Sequence, residues 1–214
     1  MRTTAESLKL GKLVRPLGLI LVIGLALALP LNKSNSTHGG ASSANSELTV
    51  KPLSKTAQTV IEKAKLTQYL ATEYKVPQTK AVSIVNSVYT ATDQHSSIQP
   101  SLVLAVIAVE SMFKAKASYK GTAGLMQIDP KWHVEKLNAF GGISSIYKPA
   151  VNVAVGTHIL AEYVDKKKGN VRKGLLMYNG AKTNFEYPNK VFKAQAKFER
   201  VLQASIPEKY RAND

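Results

Sequence analysis

The stretch PSLVLAVIAVE, from Pro100 to Glu110, decides the fold. Proline suits the first position of a helix, because its fixed φ fits there and the N–H that it lacks would have no partner. The residues from Leu102 to Val109 are all apolar. A helix that is apolar on every side is buried inside its domain. The pattern therefore predicts a central helix that ends at a single ionisable residue, Glu110.

Patterns on both sides of this stretch predict further helices and no strand of useful length. Apolar residues recur at the spacing of a helix that buries one face. The predicted helices span residues 56–75, 80–92, 149–166, 171–178 and 189–204. Asn170 is expected to cap one of them, and a short β segment between residues 115 and 127 is compatible with the sequence. The expected fold class is therefore mainly α.

The first residues predict export. Basic residues precede the apolar run LGLILVIGLALALPL at residues 17–31, which is the organisation of a signal peptide. The run is shorter than the roughly 20 residues of a comfortable bilayer span. Residues 1–31 are therefore expected to be a signal peptide or a signal anchor that contacts the cytoplasmic membrane. The rest of the chain would then lie in the periplasm or at the periplasmic face of the bacterial inner membrane.

Composition divides the chain after the apolar run. Residues 32–53 are rich in Ser, Asn and Gly and are expected to form a disordered linker. Residues 54–206 are expected to form one domain, followed by a C-terminal tail over residues 207–214.

Charge and residue counts exclude several classes of function. The chain contains no cysteine, which excludes a disulfide framework and a thiolate nucleophile. Its histidines, at 38, 95, 133 and 158, show no ligand spacing, so neither a metal nor another cofactor is expected. The formal net charge is +15, which attracts polyanions of any kind. No nucleic-acid-binding signature accompanies this charge, so no specific nucleic acid is expected as a partner.

Glu110 is the candidate acid. Burial beside apolar side chains disfavours a carboxylate, and so does the negative end of a helix dipole. Both effects would raise the pKa of Glu110. A carboxylic acid that stays protonated near neutral pH can protonate a leaving oxygen. The alternative is a glutamate at a helix end that turns to solvent.

Two further segments carry polar groups suited to a sugar. Gly121 and Gly124 allow a tight turn with close backbone approach, and Gln127 offers both a donor and an acceptor. Tyr178-Asn179 offers a hydroxyl and an amide. Each segment also has a purely structural interpretation, as a glycine loop above the core or as a helix end followed by a turn.

The order of these segments is informative. They occur as Pro100 to Glu110-Ser-x-Phe, Ser118-x-x-Gly-x-x-Gly-Leu-Met-Gln127, Asn152-x-x-x-Gly156-x-x-x-Leu160, Tyr178-Asn179 and Tyr187-Pro-x-Lys-Val191. This ordered set resembles the soluble lytic transglycosylase (SLT) catalytic domain of the lysozyme-like superfamily, over residues 94–202. The resemblance implies a lysozyme-like helical domain with a cleft for the substrate. It further implies that Glu110 is the single catalytic acid/base and that the cleft is lined by Ser118, Met126, Gln127, Tyr178 and Asn179.

The resemblance also implies an activity. The enzyme would be a peptidoglycan lyase that cleaves the β-1,4 bond between N-acetylmuramic acid and N-acetylglucosamine and leaves a 1,6-anhydro-muramyl end. Its partner would be the glycan strand, and it would need no cofactor. Gln127 and Asn179 would hold acetamido groups, and Tyr178 would orient Glu110.

Two alternatives stay open. Asp129 could activate water, which would make the domain a hydrolase like the goose-type lysozymes. The domain could also bind peptidoglycan without cleaving it. Trp132 and Tyr147 are expected in the core, although either could stack on a sugar.

Overall fold

The computed structural model describes residues 52–205 together with Pro207 and Tyr210. The predicted signal segment, nearly all of the predicted linker and most of the predicted tail lie outside these residues. Within the described part of the chain, no helix is both long and apolar enough to cross a bilayer.

The described residues are mainly helical, as predicted. Their elements, in chain order, are α1 (Lys55–Glu73), α2 (Gln78–Thr92), α3 (Pro100–Glu110), β1 (Ser118–Tyr119), β2 (Thr122–Ala123), α4 (Val134–Ala139), a 3₁₀ turn (Ile143–Ser145), α5 (Pro149–Lys166), α6 (Val171–Tyr178) and α7 (Glu186–Ser205). The predicted bounds of α5 and α6 are confirmed. The sequence-based prediction missed α4, because a helix of six residues is too short to show a helical period.

The central helix is α3. Pro100 opens it, and the side chains from Ser101 to Ile107 are all buried. It packs against α7 and α2, while α5 packs against α2 and α6. The prediction of a helix buried on every side is confirmed, and Glu110 is its last residue.

Shortly after the last residue of α3, two residues with backbone angles in the left-handed region end the helix abruptly. Met112 has φ +50° and Phe113 has φ +63°, a conformation that is uncommon for residues other than glycine. Packing holds this turn, because the Phe113 ring is only 5% exposed. It contacts the rings of Tyr74 and Phe198 at centroid distances of 4.6 and 6.2 Å. The position of Glu110 at the end of α3 is therefore fixed by the core beneath the turn.

The two short strands form an antiparallel hairpin, with Ser118 opposite Ala123. Its two turn residues, Lys120 and Gly121, have φ +48° and +91°. Two consecutive positive φ values are typical of the type I′ turn that suits the twist of a hairpin. The short β segment allowed by the sequence is thereby confirmed.

Asn152 fastens the segment after the hairpin to α5. Its side chain is completely buried. Its Oδ1 accepts a hydrogen bond from the Met126 N–H at 2.7 Å. Its Nδ2 donates to the carbonyl oxygens of Ala123 at 3.0 Å and Ile146 at 2.8 Å. Gly124 must be glycine here, because a Cβ would lie 2.1 Å from the Asn152 amide.

Asn152→Ala should lower the free energy of unfolding by about 3 kcal/mol, because it leaves buried backbone groups without partners. Urea denaturation monitored by circular dichroism measures this loss. Asn86→Ala is the matched control. It removes an exposed asparagine of α2 and should change stability by less than about 0.5 kcal/mol. Equal effects of the two substitutions would contradict the anchoring role of Asn152.

Candidate active site

A groove runs past the end of α3, between the hairpin and the segment that comes after α6. It has three adjoining sections with volumes of about 370, 290 and 380 Å³. Glu110 lines the first two sections, and Asn179 lines all three. Gln127 and Tyr178 line the second and the third. The sections are therefore parts of one surface, with Glu110 at the junction between the first section and the second.

Glu110 is largely buried, and burial raises the pKa of its carboxyl group. A hydrogen bond from the Tyr187 hydroxyl to Glu110 Oε1, at 2.6 Å, opposes this shift, but the pKa stays above its usual value. Within the described residues, the other carboxyl oxygen has no hydrogen-bond partner in the protein. A raised pKa and an unpaired oxygen at a groove are what a general acid requires.

The tyrosine that orients Glu110 is Tyr187, and the prediction for Tyr178 is wrong in this respect. The Tyr178 hydroxyl donates instead to the Met126 carbonyl oxygen at 2.9 Å, so it fastens α6 to the segment after the hairpin. Burial and the neighbouring Glu110 charge raise the pKa of Tyr187 well above its usual value, so this hydroxyl remains a donor. The motif Tyr187-Pro-x-Lys-Val191 contained Tyr187 without indicating what it contacts.

Gln127 lines the groove, but its amide is already engaged. Its Nε2 donates to the carbonyl oxygens of Gly124 at 2.8 Å and Ala117 at 3.2 Å, which uses both hydrogens. Its Oε1 lies 2.8 Å from the Thr122 hydroxyl, whose single hydrogen is shared with the Tyr119 carbonyl oxygen at 2.7 Å. Gln127 therefore fixes the hairpin wall of the groove, and only its Oε1 is left to accept from a ligand.

The structure separates the other predicted cleft residues. Asn179 is exposed at the centre of the groove, and its amide makes no hydrogen bond to the described part of the protein. Met126 is 0% exposed, so its side chain belongs to the core and not to the cleft lining. Ser118 is exposed on β1 but does not line the groove sections. The prediction for the Met126 side chain is therefore wrong, whereas the substrate-binding role of Ser118 stays a prediction.

Asp129 and Trp132 both lie in the third section of the groove. Asp129 Oδ1 accepts from the Lys131 N–H at 2.8 Å and so holds a turn. Trp132 is 82% exposed and Tyr147 is 42% exposed. The prediction that these two rings lie in the core is wrong. Both come after a proline or a turn, where helical periodicity gives no information about burial.

A cavity of about 550 Å³ lies elsewhere, between α2 and α5. Its lining contains two histidines and no carboxyl group. It therefore cannot supply the acid that the groove has, although its volume exceeds that of any single groove section.

Comparison with known proteins supports the resemblance found in the sequence. The family model for the transglycosylase SLT domain matches residues 87–201, more than half of the 214-residue chain. The resemblance over residues 94–202 is thereby confirmed. The chain is also similar to a solved complex of the 70-kDa soluble lytic transglycosylase with bulgecin A, at 20% identity and a TM-score of 0.44. The match covers 75% of this chain but only 29% of that one.

Tyr187→Phe should raise the pKa of Glu110 further, because the removed hydrogen bond favours the carboxylate. Titration of ¹³C-labelled glutamate carboxyls by NMR measures this shift, with Glu110→Gln assigning the resonance. The matched control is Tyr178→Phe. The Tyr178 hydroxyl donates to a backbone carbonyl oxygen, so its removal should not raise the pKa of Glu110 comparably. An unchanged or lower pKa in Tyr187→Phe would show that the hydrogen bond does not act on Glu110 in solution.

Proposed function

Since the chain belongs to the transglycosylase SLT domain family, we propose that it is a peptidoglycan lytic transglycosylase. Its substrate is the glycan strand, and the cleaved bond is the β-1,4 bond between N-acetylmuramic acid and N-acetylglucosamine. One observation carries the proposal. Glu110 combines a raised pKa, a fixed position and access to a groove of three sections.

The reaction needs one proton donor that later becomes an acceptor. Protonated Glu110 donates its proton to the glycosidic oxygen, and the bond from that oxygen to the anomeric carbon breaks. The 2-acetamido carbonyl of the muramyl residue stabilises the developing positive charge, since substrate-assisted glycosidases need no second carboxylate. Glu110, now a carboxylate, then removes the proton of the muramyl 6-hydroxyl. That oxygen bonds to the anomeric carbon and forms the 1,6-anhydro ring without water.

Three neighbours of Glu110 have distinct tasks in this scheme. Tyr187 holds Glu110 Oε1 and leaves the second oxygen to carry the proton. The hydrogen bond also stabilises the carboxylate formed after proton donation. Asn179, whose amide is unpaired among the described residues, would bind an acetamido group. Gln127 would act mainly by holding the hairpin wall, because both of its amide hydrogens are used.

The hydrolytic alternative needs a second carboxylate that activates water. Two other carboxylates line the groove, Asp129 in its third section and Glu186 in its first. Asp129 holds the backbone of Lys131. Glu186 is exposed and paired with Lys190 Nζ at 2.6 Å. Asp129 lies in a section that Glu110 does not line, and Glu186 carries a direct ion pair with Lys190, which favours the scheme with Glu110 as the sole acid and base.

Glu110→Gln should reduce the release of soluble fragments from purified sacculi by at least about a hundredfold, because it removes the general acid. Mass spectrometry of the fragments released by the unmodified chain should show 1,6-anhydro-muramyl ends. Glu186→Gln is the matched control, since it removes a carboxylate from the same groove and should leave activity within about threefold.

Reducing ends in the products, lost in Asp129→Asn, would replace this proposal with hydrolysis. Binding of sacculi without any release by the unmodified chain would replace it with a non-catalytic binding module.

We also propose that residues 17–31 direct the domain to the periplasm, on the strength of the apolar run and the basic residues before it. A fusion of residues 1–53 to alkaline phosphatase should be active in a Gram-negative host. Replacing Leu21 and Ile23 by Arg in this fusion should abolish that activity, because each arginine costs about 3 kcal/mol in a membrane segment. Equal activity of the two fusions would contradict export through this segment.

A further inference from the structure

Trp132 is the largest apolar side chain that the described residues expose. It is 82% exposed and is the only tryptophan of the chain. Among the described residues no other ring and no cation lies against its indole, and its N–H has no hydrogen-bond partner. Tryptophan is usually buried over much of its area. Tryptophan is enriched at binding surfaces, so an exposed indole that lines a groove is a candidate for a binding residue.

The backbone on both sides of Trp132 is fixed. Before it, the Lys131 N–H donates to Asp129 Oδ1 at 2.8 Å. After it, the Leu137 N–H donates to the His133 carbonyl oxygen at 3.0 Å, in the first turn of α4. The ring therefore extends from a segment whose backbone is held by hydrogen bonds. Less conformational entropy is then lost when a ligand covers the ring.

The position of Trp132 relates it to the groove. It lines the third section, which shares Gln127, Tyr178 and Asn179 with the section that contains Glu110. The other polar groups beside it include the Asp129 carboxylate and the His133 imidazole. A ligand that covers the indole would therefore need an apolar face for the ring and polar groups at its edge.

We infer that Trp132 is an aromatic platform for a sugar of the glycan strand beyond the two sugars at the scissile bond. This inference rests on the proposed substrate. A β-1,4-linked aminosugar carries its hydroxyl and acetamido groups equatorially, so axial C–H groups cover each face of its ring. These C–H groups complement the electron-rich face of an indole. The platform would make affinity depend on strand length, because Trp132 lines a section of the groove that Glu110 does not line.

The test uses the fluorescence of the single tryptophan in the full chain carrying Glu110→Gln, so that bound glycan is not cleaved. The probes are peptide-free peptidoglycan strands, fractionated into a disaccharide and an octasaccharide. The octasaccharide should shift the emission to the blue as the indole leaves water, and the disaccharide should not. In calorimetry, adding Trp132→Ala should weaken octasaccharide binding about tenfold. Trp132→Phe should retain most of the affinity.

The matched control is Tyr147→Ala in the same background. It removes another exposed aromatic side chain that lies outside the groove sections and should not change octasaccharide affinity. Octasaccharide binding without an emission shift, or no binding of the octasaccharide at all, would overturn the platform. So would an emission shift with phosphatidylethanolamine–phosphatidylglycerol vesicles but not with glycan, because the indole would then be a membrane contact.

The experiments distinguish a failure of the Trp132 proposal from a failure of the proposed catalysis. An emission shift with no cleavage of sacculi by the unmodified chain leaves Trp132 as a glycan contact and removes the enzyme. Cleavage with anhydro products but no emission shift would keep the proposed enzyme and would remove Trp132 as a glycan contact.

Discussion

The buried amide of Asn152 is the contact on which the candidate site depends. It holds the backbone of Ala123 and Met126 against α5. Side chains from two other helices donate hydrogen bonds to the same short segment. The Ser111 hydroxyl, at the end of α3, donates to the Leu125 carbonyl oxygen at 2.7 Å, and the Tyr178 hydroxyl of α6 donates to that of Met126. One segment therefore joins α3, α5 and α6, and the groove forms where they meet. The asparagine amide supplies both the two donors and the acceptor that this buried position requires.

The properties of Glu110 result from this convergence. A carboxyl group at the end of a buried helix loses hydration, which raises its pKa. Alone, it would turn toward solvent. The hydrogen bond from Tyr187, on α7, keeps it in place and limits the rise in its pKa. Since the proposed reaction needs Glu110 first as an acid and then as a base, a neighbour that stabilises the carboxylate moderately serves both steps.

Exposure distinguishes the residues that hold the groove from those that can contact a ligand. Met126 is inaccessible to a ligand, and the Gln127 amide hydrogens are engaged. Both stabilise the wall of the groove. Asn179 and Trp132 have the opposite character, since they line the groove and are exposed. Exposed groups on a fixed backbone can contribute strongly to binding affinity, because little conformational entropy is lost when the ligand binds.

The sequence by itself determined the helical class and the bounds of the long helices to within three residues, and it indicated Glu110 as the candidate acid. Each depends on local information: a period of apolar residues, Pro100 at a helix start, and one ionisable residue at the end of an apolar run. It also indicated the SLT family from the order of the motifs. Tertiary structure alone decided which tyrosine contacts Glu110, because Tyr187 is 77 residues away in the chain. It also decided that Met126 is buried and Trp132 exposed. Both come after turns, where the direction of a side chain is set by packing against distant segments and not by neighbours in sequence.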